Sequence, residues 1–255
     1  MGKTAIILAA GKGTRMKSDL PKVLHEVCGR PMLAYVLDAC REAGCQTLLV
    51  VIGHKAGLVR EAFADDASDI RWVEQTEQLG TGHAVMVCAD ELSELRGAVL
   101  VVAGDGPLVE AETLAALMAK HESDGAACTL ATCILDEPGG YGRVIRDGDG
   151  QVAGIVEAID ADEAQRRTKE VNVSLYCFDA EALGGVIGRL SNDNAKGEYY
   201  LTDALAILRA DGARVAAVAA VPPQDVISIN TLDELERVGR IMGRRLSGTG
   251  EGDDG

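Results

Sequence analysis

Two glycines and four cations crowd the segment LAAGKGTRMKSDLPK, which begins at Leu8 and ends at Lys22: Gly11 and Gly13 alternate with Lys12, and Arg15, Lys17 and Lys22 follow. Glycine lets a backbone turn tightly and brings its N–H groups within reach of phosphate oxygens. Thr14 adds a hydroxyl. Arg15 offers a planar fork for bidentate phosphate contact, and Lys22 a mobile point charge. The apolar run Thr4 to Ala10 reads as a strand buried on both faces, so this turn falls at the carboxyl edge of a parallel sheet, where open α/β folds place their ligands. A glycine-rich surface turn with solvated cations is the alternative. The pattern G-x-x-x-x-G-K-[ST] is absent, and Met16 stands where G-x-G-x-x-G needs its third glycine, so neither a Walker loop nor a dinucleotide fingerprint is present.

Two later segments carry compatible chemistry. EQTEQLGTGHA sets the amides of Gln75 and Gln78 beside Gly80, Thr81 and Gly82. Amides can read the edge of a nucleobase and close glycines admit a flat ring; a polar loop capping the next helix is the other reading. VVAGDGPL puts Asp105 at the end of an apolar strand, where a carboxylate can hold Mg²⁺ together with phosphate oxygens and water, or simply end a turn. His25, His54, His83 and His121 lack metal-ligand spacing and G-x-S-x-G is missing, so no catalytic histidine is expected.

Composition bounds the partners. The 255 residues are 47% hydrophobic and 3% aromatic, enough to bury a core as one large domain or one domain with a lobe. Forty acids against 25 lysines and arginines give a formal charge of -15, which argues against a nucleic-acid surface. Residues 1–25 reverse the balance, with Lys3, Lys12, Arg15, Lys17 and Lys22 against Asp19. Positive charge this local suits a small polyanion. No apolar run approaches the roughly 18 residues of a membrane span and no signal peptide is evident. Seven cysteines without a C-x-x-C pair suggest buried thiols in a reducing cytoplasm.

These groups must be positioned by alternating strands and helices. TAIILAA, QTLLVVIG, IRWVE and GAVLVVAGD read as strands, separated by helical patterns over PMLAYVLDACREAG, LVREAFADD and GHAVMVCADELSEL, with a further helix over EAETLAALMAKHES. That alternation predicts βαβ units on a parallel sheet. From about Ala126 the pattern turns β-rich: ACTLATCIL, GRVIRD, QVAGIVEA and EVNVSLYCFD, the second and third joined by a GDG turn. The helices AEALGGVIGRL and YYLTDALAILRADG, the strand ARVAAVAAV, the Pro222-Pro223 break and a helix from about Leu232 to Arg245 complete the order.

LAAGKGTRM, PKVLH, EQLGTGHA, GDGPL, GYGRV, GIVEA, GEYYLTDA and INTLDEL follow one another as in the N-acetylglucosamine-1-phosphate uridylyltransferase domains of the sugar nucleotidyltransferases, which residues 4–245 resemble. The first motif identifies the superfamily; EQLGTGHA and GEYYLTD are specific to the uridylyltransferase. The resemblance implies a Rossmann-like α/β fold: a mixed, mostly parallel sheet flanked by helices, with a smaller β-rich sugar-binding lobe. It implies a nucleotidyltransferase domain over 1–246, with the nucleotide half at about 1–125 and the sugar half at about 126–230; residues 247–255, too polar to bury anything, read as a disordered tail. Leu8, Ala9, Ala10, Gly11, Gly13 and Arg15 would wrap the triphosphate of UTP, and Lys22 would contact the reacting phosphates. Gln75, Gln78, Gly80 and Thr81 would hold uracil. Asp105 and Asn230 would bind Mg²⁺. Gly104, Gly142, Glu157 and Asn172 would meet the amino sugar. The reaction implied is in-line attack of the sugar phosphate on the α-phosphorus, making UDP-N-acetylglucosamine for a bacterial envelope, with another sugar-1-phosphate nucleotidyltransferase using UTP or dTTP, or a non-catalytic binding module, as the alternatives. This chain differs at Ala158-Ile159, at Val173-Ser174 beside Asn172, where relatives carry a glycine second, and at Ala103. Because no hexapeptide repeat occurs, neither acetyltransferase activity nor a β-helix trimer is expected.

Overall fold

The structure, a computed structural model, describes residues 3–248. The expected tail lies outside the described residues except for Ser247 and Gly248, which form a turn. The described residues form, in order, β1 (Lys3–Leu8), the two-residue strands β2 (Glu26–Val27) and β3 (Arg30–Pro31), α1 (Met32–Glu42), β4 (Cys45–Ile52), α2 (Ala56–Ala62), β5 (Ile70–Glu74), α3 (Thr81–Met86), α4 (Ala89–Glu94), β6 (Ala98–Ala103) and α5 (Ala111–Asp124). There follow β7 (Cys128–Ile134), β8 (Arg143–Arg146), β9 (Val152–Val156), α6 (Glu163–Arg166), β10 (Glu170–Asp179), α7 (Ala180–Ile187), α8 (Asp203–Ala210), β11 (Val215–Ala219) and α9 (Leu232–Leu246).

The main sheet runs β11-β7-β10-β6-β1-β4-β5. Its pairs are parallel except at β10, which lies antiparallel to both β6 and β7. The β8–β9 hairpin hangs from β10 through Val171 and Arg143. A continuous apolar run serves both faces of such a sheet. In β1, Ala5 and Ile7 enter one core and Ile6 the other; in β4, Leu48, Val50 and Ile52 oppose Leu49 and Val51. Six cysteines are buried and Cys28 is exposed.

Four local outcomes depart from the sequence pattern. The helix expected over Gly82 to Leu95 breaks at Val87 and Cys88, where the Cys88 N–H donates to Val85 three residues back instead of four. The helix expected from Tyr199 begins only at Asp203, because the preceding backbone is engaged elsewhere: Tyr199 N–H donates to Leu79 O (2.7 Å), and Leu201 N–H to Thr81 Oγ1 (3.1 Å). The β2–β3 hairpin was not anticipated; Cys28 (φ 48°) and Gly29 (φ 81°) form its two-residue left-handed turn. The short α6 rests on a capping box between Asp162 and Gln165.

Candidate active site

The carboxyl ends of β1, β4 and β6 are locked level with each other: Ala9 N–H donates to Val51 O (2.8 Å) and Gly104 N–H to Leu8 O (2.9 Å). The turns that leave this edge line a cleft of about 740 Å³. Leu8, Ala9, Ala10, Gly11, Arg15, Lys22, Gln75, Gln78, Gly80, Thr81, Asp105, Gly142, Glu157, Asn172 and Asn230 all face it. Of the residues singled out from sequence, Gly13 and Gly104 are not in its lining; they act from behind. Gly13 is left-handed (φ 62°), and a Cβ there would sit 2.8 Å from Lys22 Cβ, so glycine lets the cation loop fold onto itself. At Gly104 a Cβ would stand 3.1 Å from Leu8 O.

The cationic centre is Lys22. Its ammonium donates to Asp105 Oδ2 and, at 2.7 Å, to Asn230 Oδ1; Arg15 Nη2 donates to the same Asn230 oxygen at 2.8 Å. Lys22 is buried, which an amine tolerates only when paired. Asn230 arrives on an extended segment pinned by Ile229 N–H donating to Asp105 O (2.9 Å). Its own N–H donates to Glu234 Oε2 (2.7 Å) in the capping box of α9, and its Nδ2 to Ser228 O, which leaves Oδ1 turned toward the cations. Asp105 Oδ2 and Asn230 Oδ1, held together by one ammonium, are hard oxygen donors of the kind a Mg²⁺ ion would take. The donor set fits that ion, while among the described residues no group of three or more His, Cys, Asp or Glu could hold a metal.

At one end of the cleft, Gln75 leaves β5 with its N–H on Ile52 O (2.8 Å), and its Nε2 donates to Gly80 O (3.1 Å) and lies 3.0 Å from His83 Nδ1. Gln78 Nε2 donates to Gln75 O (2.9 Å). Gly80 (φ 106°) is obligatory: a Cβ would stand 2.5 Å from Tyr199 O.

At the other end stands the β10 bulge. Pairing with β7 shifts between Asn172 and Tyr176, and Ser174 is left-handed (φ 57°) with its N–H on Asn172 Oδ1 (3.2 Å). Asn172 Nδ2 donates to Tyr176 Oη (2.6 Å) and Asn172 N–H to Gly142 O (2.9 Å). The irregularity aims Asn172 and Ser174 into the cleft, while Val173 packs into the apolar cores. The β-branched residue therefore does not obstruct this end. Glu157 accepts from Thr202 Oγ1 (3.3 Å), and burial raises its pKa above the ordinary carboxylate value.

The sequence profile of the MobA-like NTP transferase domain matches residues 5–140, which span the cation loop, Gln75, Gln78 and Asp105. The chain belongs to this family of nucleotidyltransferases. Proteins similar to it include the bifunctional protein GlmU of Trichlorobacter lovleyi, 49% identical over 95% of this chain and 53% of that protein. GlmU of Clostridium acetobutylicum is 45% identical over 97% of this chain and 54% of its own length. The chain thus spans about half the length of these relatives. A solved UDP-glucose pyrophosphorylase complexed with UDP-glucose superposes with a TM-score of 0.77 at 16% identity, covering 96% of this chain and all of that one, which establishes the shared fold.

Several residues of this NTP transferase cleft escaped sequence reasoning. Tyr141, Glu198 and Glu234 line it, and His83 supports Gln75. Tyr141, His83, Glu198 and Glu234 lie inside the quoted motifs GYGRV, EQLGTGHA, GEYYLTDA and INTLDEL, so their positions carried a signal. Among the described residues no helix is long and apolar enough to cross a membrane.

Proposed function

We propose that this domain transfers a uridylyl group from UTP to N-acetylglucosamine 1-phosphate, releasing pyrophosphate. The observation that carries the reading is the Lys22 ammonium drawn between Asp105 and Asn230, beside a glycine turn and in the same cleft as two amides. A site that must bring two phosphate anions together needs fixed positive charge and an oxygen cage for a divalent ion. Leu8, Ala9, Ala10 and Gly11 offer the triphosphate a close backbone, and Gly13 supports the loop. Arg15 and Lys22 offset its charge as the sugar phosphate oxygen attacks the α-phosphorus and pyrophosphate leaves opposite. Asp105 and Asn230 hold Mg²⁺, which supplies further neutralisation of the phosphates. No protein nucleophile is needed.

Gln75, Gln78, Gly80 and Thr81 take uracil, and Gly142, Glu157 and Asn172 take the amino sugar, while Gly104, expected to join them, packs against the Leu8–Ala9 turn. In this reading residues 1–125 serve the nucleotide and 126–230 the sugar. UTP is a cytoplasmic substrate, which suits the buried thiols. The likeness to a protein solved with UDP-glucose supports a UDP-sugar product, and the EQLGTGHA and GEYYLTD motifs support N-acetylglucosamine as its sugar.

The test mixes protein, Mg²⁺, UTP and a panel of sugar 1-phosphates and measures pyrophosphate. Release with N-acetylglucosamine 1-phosphate above all others is expected. Preference for another sugar would move the assignment to a different sugar nucleotidyltransferase, and no release with any would favour a binding module.

A further inference from the structure

Gln75 is buried, yet it lines the cleft, and its amide is fixed by two neighbours. A carbonyl oxygen has no proton to give, so the amide atom 3.1 Å from Gly80 O must be the NH₂. The same NH₂ lies 3.0 Å from His83 Nδ1. An NH₂ only donates here, so Nδ1 accepts, and the proton of the neutral ring sits on Nε2. Both amide protons are thereby committed inside the protein. No described residue donates to Oε1, which remains as the atom of this amide available to a ligand.

A free glutamine does not discriminate, because its amide can turn either edge to a base. Here a flip would set Oε1 against Gly80 O, an obligate acceptor, and would force the His83 proton from Nε2 to Nδ1. We propose that His83 is a positioning residue which holds Gln75 with its acceptor outward and so makes the cleft prefer a pyrimidine bearing an N–H at ring position 3 over one with a bare nitrogen there. Uracil and thymine have that N–H; cytosine presents a lone pair instead. His83 does not itself touch the base. It is placed by α3, whose Gly82 N–H donates to Tyr199 O (2.7 Å), and its ring lies 6.3 Å from that of Tyr199. The inference rests on the reading of Gln75 as a base contact.

UTP and CTP are nearly the same size and differ at this edge, so their ratio of kcat/KM with the same sugar 1-phosphate is the readout. His83→Ala is expected to lower the UTP:CTP ratio by ~10-fold, the scale of one lost orienting hydrogen bond. His83→Asn, whose side-chain oxygen can accept where Nδ1 does, is expected to restore most of it. A wild-type ratio in His83→Ala alongside a reduced one in Gln75→Ala would overturn the role of His83 while leaving the base pocket intact. An equal fall in the Ala and Asn variants would also overturn it, since that marks packing instead of an accepted proton. If the wild-type protein shows no preference for UTP over CTP, the reading of Gln75 fails and this inference with it.

Discussion

Asp105 and Asn230 meet through Lys22, although 208 residues separate Lys22 from Asn230. Asp105→Ala should lower turnover by about 10², because one preorganised electrostatic group is lost from the cleft, and should also lower the unfolding midpoint, because the buried Lys22 ammonium loses its carboxylate partner. Steady-state rates beside a denaturant titration check both halves. Glu157 supplies a pH test. Burial raises its folded pKa above the unfolded value, so its favourable contribution to folding is full below the unfolded value, near 4.5, and is lost as pH rises through the raised one. Glu157→Gln should therefore stabilise the fold at neutral pH, with the gain shrinking in acid, and should raise KM for the sugar phosphate. Unfolding curves at several pH values would refute this if the gain were flat. At this scale the sequence disclosed which side chains do chemistry, since their types and flanking glycines are local properties. It did not disclose what each one touches: nothing in the spacing of Gln75 and His83 says which amide end faces outward.

Elements were legible where hydrophobic period ruled and obscure where backbone groups found distant partners. β1, β4, β5 and β6 follow from apolar runs that sit in both cores. The late start of α8 does not, because the competing acceptors belong to Leu79 and Thr81 more than a hundred residues earlier. The bulge in β10 was not legible; Ser174 stands where relatives carry glycine, and the structure shows a left-handed backbone at that position. Ser174→Gly should raise stability by about 0.5 kcal/mol, the left-handed strain removed less the entropy glycine brings to the unfolded chain, as read from denaturant midpoints. Gly80→Ala should do the opposite. Its positive φ and the 2.5 Å approach of Tyr199 O predict a loss of about 2 kcal/mol or more, together with weakened nucleotide affinity. An alanine variant of parental stability would contradict the loop geometry.

Across the whole molecule the charge is -15, yet Lys12, Arg15 and Lys22 gather at one cleft. Added salt should raise KM for the nucleotide more than it changes kcat, because screening, with a length of about 10 Å at 0.1 M, weakens attraction between a triphosphate and partly exposed cations before it alters bound geometry. A KM independent of ionic strength would argue against electrostatic capture. The residues of the β10 bulge and those of the late segment return to the edge built by the first half, so one continuous sheet carries both ends of the site. The chain from Glu198 to Asp203 is the physical tie between them. It is buttoned to the glycine loop at Leu79, Thr81 and Gly82, and through Thr202 it reaches Glu157. Tyr199, Leu201 and Thr202 thus fasten one short stretch of backbone to both rims of the groove at once.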